Sequence, residues 1–93
     1  MPKIKNWSRD DNAYPCWIHD ETGQTLEIGI DGDKRRNDGK PKKYQVTAWN
    51  GLNSRTVDFS ISSLKEAMDS ARMIAKRNPD GELVKSMDEK HHY

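Results

Sequence analysis

The stretch YQVTAWNGLNSRTVDFSISSLKEAMDSARMIAKRNPDG, residues 44–81, decides the fold, because its hydrophobic period changes from two residues to about 3.6. The second half begins with the capping box Ser63-Leu64-Lys65-Glu66, in which the Ser63 hydroxyl accepts the Glu66 backbone N–H. The apolar residues that follow form one stripe: Leu64, Ala67, Met68, Ala71, Ile74 and Ala75. Pro79 forces the residue before it out of the helical region. The pattern predicts one helix over residues 64–77.

Two alternating segments, residues 44–49 and 56–61, precede this helix and predict a β-hairpin. A two-residue turn at Asn50-Gly51 pairs Val46 with Arg55 and Tyr44 with Val57, whereas a four-residue loop over 50–53 pairs Val46 with Val57 and Tyr44 with Phe59. We prefer the longer loop, because apolar cross-strand pairs stabilise a hairpin by about 0.2–1 kcal/mol each. Either register places five side chains on the face that the helix must cover: Tyr44, Val46, Val57, Phe59 and Ile61.

Residues 14–19 and 25–30 predict a second hairpin, closed by a three-residue loop with Gly23 in the left-handed conformation. This register pairs apolar residues only: Ile18 with Leu26, Cys16 with Ile28, and Tyr14 with Ile30.

The predicted fold class is α+β, a four-stranded antiparallel sheet of two hairpins with one C-terminal helix packed on one face. Residues 1–85 are expected to form a single domain, with residues 1–13 as an N-terminal arm anchored by Trp7 and residues 86–93 as a flexible tail. The strand order remains open.

Composition restricts the class of protein. The chain has 93 residues, 32% of them hydrophobic, and a mean hydropathy of −1.11. We expect no transmembrane helix and no signal peptide, because no long apolar run is present. The single cysteine fits a reducing compartment and favours a cytoplasmic protein. A net charge of +1 demands neither a nucleic acid nor a membrane as partner.

The sheet surface that faces away from the helix is the predicted binding face. In the predicted registers it carries Trp17, His19, Gln45, Thr47 and Trp49. Two tryptophans on a polar face are candidates for a protein contact, since tryptophan is enriched in interfaces. They are also candidates for stacking nucleic-acid bases, and a third interpretation is that the chain termini cover them.

A long polar segment, residues 31–43, joins the two hairpins and carries six basic and three acidic residues. Its basic residues are candidates for phosphate contacts: Lys34, Arg35, Arg36, Lys40, Lys42 and Lys43. The alternative is a solvated loop whose aspartates partly cancel its field.

Neither a metal nor a cofactor is predicted. Asp31-x-Asp33 begins like a calcium-binding loop, but Arg35 and Lys42 stand at the fifth and twelfth positions, where oxygen ligands are required.

No catalytic residues are predicted either. Cys16 is expected to be a buried small hydrophobe without a histidine on its own face. A catalytic site would need a pocket that holds His19 with Glu27 or Asp58.

Short motifs resemble those of small proteins of halophilic archaea and their mobile elements. They are the opening Met-Pro-x-Ile-x-Asn-Trp-Ser-Arg, residues 1–9, and Asn78-Pro79-Asp80-Gly81 after the helix. The likeness implies no activity, because that group has none assigned. This chain departs from the acidic composition usual in such proteins, since 16 basic residues balance 15 acidic ones.

The leading hypothesis is therefore a non-enzymatic interaction module that binds a protein, or a second copy of itself, through the outer sheet face. The alternative is a nucleic-acid-binding module that uses the outer-face aromatic residues and the basic segment 34–43.

Overall fold

The computed structural model describes residues 4–11 and 14–84 and contains one antiparallel sheet and one helix, an α+β fold. The elements follow one another along the chain as β1 (Trp7–Asp11), β2 (Pro15–His19), β3 (Thr25–Ile30), β4 (Tyr44–Asn50), β5 (Asn53–Ile61) and α1 (Leu64–Arg77). Each strand pairs with the next one in sequence, so β1 and β5 form the two edges. The predicted flexible tail, residues 86–93, lies outside the described residues.

The helix α1 has the bounds that the sequence predicts. The Ser63 hydroxyl accepts the Glu66 backbone N–H at 3.1 Å, and the Glu66 carboxylate accepts the Ser62 hydroxyl at 2.8 Å. The first turn is therefore capped by its own side chains.

The other end of α1 is closed by Asn78. Its backbone N–H donates to the Ala75 carbonyl at 3.1 Å, and its side-chain amide donates to the Ile74 carbonyl at 2.7 Å. These bonds satisfy carbonyls that a helix end leaves without intrahelical partners. The buried stripe consists of alanines, namely Ala67, Ala71 and Ala75. Small side chains allow the helix to approach the sheet closely.

The sheet has five strands, so the prediction of four is wrong. The additional strand, β1, lies in the segment predicted to be an arm. Trp7 is buried there, and its indole N–H donates to the Asn78 carbonyl at 3.0 Å, which confirms its role as an anchor. The strand was missed because Trp7 is its only buried residue, so no apolar alternation marks it.

The loop closed by the His19–Gln24 pair at the β2–β3 connection contains four residues, 20–23, one more than predicted. The His19 N–H donates to the Gln24 carbonyl at 2.8 Å, and Gly23 adopts the predicted left-handed conformation with a φ of 75°. The difference in loop length changes the strand register by one residue.

This change reverses the faces of β2. Trp17 lies opposite Leu26, and Trp17 and His19 consequently point toward α1, while Cys16 and Ile18 point away from it. The predicted pairs Ile18–Leu26, Cys16–Ile28 and Tyr14–Ile30 are wrong. Cys16 is buried as predicted, but it lies outside the core cluster that α1 covers.

The β4–β5 hairpin is closed by Gly51 and Leu52, with Gly51 at a φ of 61°. A glycine with positive φ at the first position of a two-residue turn is typical of type II′. The preferred four-residue loop over 50–53 is therefore wrong, since Asn50 and Asn53 pair with each other, but next to the turn the preferred register holds, because Trp49 lies opposite Ser54.

Two irregularities then shift the pairing, so that Val46 lies opposite Asp58 and Tyr44 opposite Ile61. The predicted pairs Val46–Val57 and Tyr44–Phe59 are wrong. Phe59 is 67% exposed instead of buried.

The chain beyond α1 is held by side-chain hydrogen bonds rather than by a strand. The buried Gln24 side chain accepts the backbone N–H groups of Leu83 and Val84 at 2.8 and 2.9 Å, and it donates to the Val84 carbonyl at 3.3 Å. Residues 82–84 form no strand, although Leu83 and Val84 are buried. This segment closes the end of the core between α1 and the sheet.

Candidate binding surfaces

The outer face is the side of the sheet that points away from α1. One row of neighbouring residues crosses it from β1 to β5: Ser8, Ile18, Thr25, Trp49 and Ser54. Gln45, Thr47 and Trp49 lie on this face as predicted, and Trp49 is 37% exposed. Three of the five residues proposed from the sequence thus share one surface.

Trp17 does not belong to that surface. It is 3% exposed and lies in the core cluster beneath α1. The guanidinium groups of Arg9 and Arg72 lie over its ring, 5.6 and 5.9 Å from the ring centroid. These distances are within the range of cation–π attraction, so Trp17 stabilises the packing of α1 on β1 and β2.

His19 is also buried on the helix side. Its Nδ1 accepts the backbone N–H groups of Glu21 and Thr22 at 3.2 and 3.1 Å, which requires an unprotonated Nδ1. Its Nε2 then donates to the Pro79 carbonyl at 2.7 Å.

The groups around His19 hold its ring in place within the fold. The Trp7 ring meets its imidazole edge to face, with centroids 5.0 Å apart. Glu27, one of its two predicted catalytic partners, is exposed and lies opposite Thr47 on the outer face. The other, Asp58, accepts the Ser70 hydroxyl on α1. The predicted requirement for a pocket that joins His19 to one of these carboxylates is not met by the described residues.

Leu52 was missed as a surface residue. It is 97% exposed at the β4–β5 turn, three residues after Trp49. Sequence reasoning assigned the turn to Asn50-Gly51, and a leucine at the second turn position gives no recognisable turn signal.

The basic arm, which we define as residues 34–43, is an ordered extension of the β3–β4 hairpin. Lys34 and Lys42 are joined by a backbone hydrogen bond of 3.1 Å, and Arg36 and Lys40 by one of 2.8 Å. The Gly39 N–H donates to the Arg36 carbonyl at 3.0 Å and closes the tip. All six predicted phosphate-binding residues lie on this arm and are exposed.

The charge of the basic arm is strongly positive. It contains six basic side chains and one carboxylate, Asp38, a net charge of +5. The Lys40 backbone N–H, which donates to the Asp38 carboxylate at 3.0 Å, lowers the pKa of that carboxyl, and the nearby Arg36 lowers it further. The Asp38 carboxylate lies 3.6 Å from the Arg36 guanidinium, so it neutralises at most this one cation of the arm.

An exposed aromatic residue, Phe59, lies in the part of β5 that is tied to the segment just before the basic arm. Asp31, just before the arm, accepts the Ser60 N–H at 2.8 Å and so ties the end of β5 to the arm. Ser60 has a φ of 57°, an uncommon value for a residue with a side chain. The irregular backbone next to Ser60 leaves Phe59 exposed beside this cationic segment.

The basic arm and Trp49 lie at opposite ends of β4. Five residue steps separate Tyr44 from Trp49, a length of about 17 Å at roughly 3.4 Å per residue. The predicted combination of outer-face tryptophans with the basic segment is thus divided into two separate surfaces.

A third surface, the edge groove, runs between β5 and α1. Val57 and Ile74 form its apolar floor, and Met73 on α1 is half exposed beside it. One half is lined by the carboxylates of Asp58, Glu66 and Asp69 and by one cation, Arg77. The other half is lined by Arg55, Arg77 and a single carboxylate, Glu82.

Among the described residues, no three His, Cys, Asp or Glu side chains are grouped so as to hold a metal ion. Within the same part of the chain, no helix has the length and hydropathy needed to span a membrane. Comparison with protein-family models, curated proteins and solved structures finds no match.

Proposed function

We propose that this protein is a non-enzymatic module that binds single-stranded nucleic acid, with the basic arm on the phosphates and Phe59 against a base. The observation that carries the proposal is the concentration of six exposed cations on an ordered ten-residue arm with one carboxylate. Phosphate neutralisation by lysine and arginine supplies most of the affinity in non-specific nucleic-acid binding.

The position of Phe59 favours a single strand over a duplex. A base can stack on an exposed aromatic ring only when it is not paired inside a helix, and each stacked base contributes about 1–3 kcal/mol. Phe59 is 67% exposed next to the arm. The basic arm therefore offers a series of cations for phosphates, and the adjoining end of β5 offers an aromatic ring for stacking.

The test is the binding of a fluorescent oligothymidylate, measured by anisotropy at low salt. We expect the combined variant Lys34→Gln, Lys40→Gln and Lys42→Gln to bind at least about tenfold more weakly. The matched control replaces three exposed lysines outside the arm, Lys5, Lys65 and Lys76, by glutamine. It removes the same charge and is expected to change the affinity by no more than about twofold. Equal losses in both variants would contradict a role of the arm itself.

The stacking contact is tested separately. Phe59→Ala is expected to weaken oligothymidylate binding about tenfold, whereas Leu52→Ala, which removes an even more exposed apolar side chain at the turn before β5, is expected to leave it unchanged. Unchanged binding in Phe59→Ala would remove the base contact and leave only the phosphate contacts.

A second candidate function is a protein contact at the outer face. It is favoured by the exposed Trp49, which shares a row with Ile18 across the outer face, and by the exposed Leu52 three residues after Trp49, apolar side chains on an otherwise polar surface. A photoreactive amino acid at Leu52 is expected to cross-link a protein in cells, whereas one at Lys65 is not. Cross-linking from both positions, or from neither, would contradict this candidate.

A further inference from the structure

Among the described residues, no strand pairs with the outer side of the edge strand β5. In a hairpin with a two-residue turn, Asn50 and Asn53 exchange backbone hydrogen bonds and every second pair does the same, so the N–H and C=O groups of Ser54 and Thr56 point away from β4. No other strand of the sheet lies on that side.

The end of β5 is closed to further pairing. The Phe59 N–H donates to the Asp58 carboxylate at 2.9 Å, and the Ser60 N–H donates to Asp31 at 2.8 Å. Natural sheets block their edges with irregularities of this kind. The block covers residues 58–60 and leaves residues 54–57 available.

The edge groove beside this stretch has opposite charges at its two ends. Along β5 the chain runs from Arg55 at the basic end to Asp58 at the acidic end. The helix runs in the other direction, from Glu66 and Asp69 at the acidic end to Arg77, which lines both halves of the groove. A strand that is added antiparallel to β5 must therefore carry a cation where β5 carries an anion, and the reverse.

The segment that meets this requirement is β5 itself. We propose that the chain forms a two-fold symmetric dimer in which β5 pairs antiparallel with β5 of a second copy, with Thr56 opposite Thr56. In this arrangement Arg55 of the second copy lies opposite Val57, beside Asp69 at the acidic end of the groove. The two-fold axis repeats the same contact in the other groove, so the surface is self-complementary as a symmetric dimer requires.

The same contacts select the partner. Arg55 is on the helix side of β5, because it lies opposite the buried Ala48. A strand that paired with β5 without placing a carboxylate near Arg55 would leave this cation without a partner. Such pairing is disfavoured. Val57 and the half-exposed Met73 supply the apolar part of the contact.

Disulfide cross-linking tests the register directly. In the proposed dimer, the two copies of residue 56 lie about 5.5 Å apart between Cα atoms, whereas the two copies of residue 54 are offset by four residues, about 14 Å. Since a disulfide requires less than about 7 Å, Thr56→Cys is expected to cross-link under mild oxidation and Ser54→Cys is not. The parent chain serves as the control, because any cross-link that it forms must come from the buried Cys16. Cross-linking at position 54 but not at position 56 would overturn the proposed register.

Charge exchange tests the partner contact, with sedimentation velocity as the readout. We expect the parent chain to dimerise and Arg55→Glu to raise the dimer dissociation constant at least about tenfold. Adding Asp69→Lys to Arg55→Glu is expected to restore dimerisation to within about threefold of the parent, while Lys65→Glu, on an exposed part of α1, has no effect. Circular dichroism confirms folding of each variant. A parent chain that is monomeric up to about 1 mM, or a double variant that is no better than Arg55→Glu, would overturn the proposal.

Discussion

Gly81 illustrates how a single residue fixes the chain around His19. It has a φ of 70°, and a Cβ atom at this position would overlap the His19 imidazole. The Thr22 hydroxyl donates to its carbonyl at 3.2 Å, and the Asn6 side-chain amide donates to the Pro79 carbonyl at 3.0 Å. The motif Asn78-Pro79-Asp80-Gly81 thus provides contacts for β1 and for the β2–β3 loop, in addition to ending α1.

Replacement of Gly81 by alanine is expected to destabilise the protein by more than the conformational cost alone. Gly39 is the matched control, because it has a φ of 84° and open space around it. Gly39→Ala is expected to lower the free energy of unfolding by about 1–2 kcal/mol, the cost of a left-handed residue with a side chain. Gly81→Ala is expected to cost about 2 kcal/mol more, because His19 must move. Denaturant titration measures both, and equal losses would contradict the close packing of Gly81 against His19.

Gln24 provides a second prediction at this scale. Its truncation leaves the backbone N–H groups of Leu83 and Val84 without their acceptor in a buried region, so Gln24→Ala is expected to lower the free energy of unfolding by about 3 kcal/mol. Gln45→Ala, on the outer face, is expected to change it by no more than about 0.5 kcal/mol. Hydrogen exchange at Leu83 and Val84 provides a second readout, and unchanged protection there in Gln24→Ala would contradict the role of this side chain.

Secondary-structure elements differ in how far the sequence determines them. The signals for α1 are local: Ser63 caps it, a single apolar stripe runs along it and Pro79 follows it, so its bounds could be predicted. The faces of β2 depend on one residue in the length of the hairpin loop that follows it, because a strand alternates its side chains with period two. The sequence favoured the wrong register because Cys16 and Ile18 are as apolar as Trp17, so either face of β2 could be assigned to the core.

Strand β1 and the irregular pairing of β5 could not be predicted for a different reason. Only Trp7 of β1 is buried, and the polar residues after it look like a loop. The exposure of Phe59 depends on the contact between Ser60 and Asp31, which are 29 residues apart. These features arise from contacts between distant segments rather than from local pattern. The predicted binding face was therefore only partly right: Gln45, Thr47 and Trp49 lie on the predicted side of the sheet, whereas Trp17 and His19 lie on the other side.

The register of β2 predicts which indole is accessible to solvent. Of the three tryptophans, Trp7 and Trp17 are buried and Trp49 is exposed. Acrylamide quenching of fluorescence is therefore expected to lose its accessible component in Trp49→Phe and to retain it in Trp17→Phe. The reverse result would show that β2 presents Trp17 to the outer face and that the helix covers the other side of this strand.

The molecule as a whole is a thin two-layer structure with its positive charge concentrated at one end. The chain carries a net charge of +1, yet the basic arm alone carries +5, so the remaining 83 residues carry −4. A field of this kind attracts a polyanion to the arm and repels it from the rest of the surface. The sequence predicted the cations themselves, but their presentation on an ordered hairpin with a single, already engaged carboxylate is a property of the folded chain.

The salt dependence of oligothymidylate binding tests this central claim most directly. For a single strand, the logarithm of the binding constant falls with the logarithm of the salt concentration with a slope of about −0.7 per phosphate neutralised. Engagement of four to five arm cations predicts a slope of about −3, and the combined variant Lys34→Gln, Lys40→Gln and Lys42→Gln is expected to reduce its magnitude by about 2. A slope near zero in the parent chain, or the same slope in this variant and in the control that replaces Lys5, Lys65 and Lys76, would contradict binding through the basic arm.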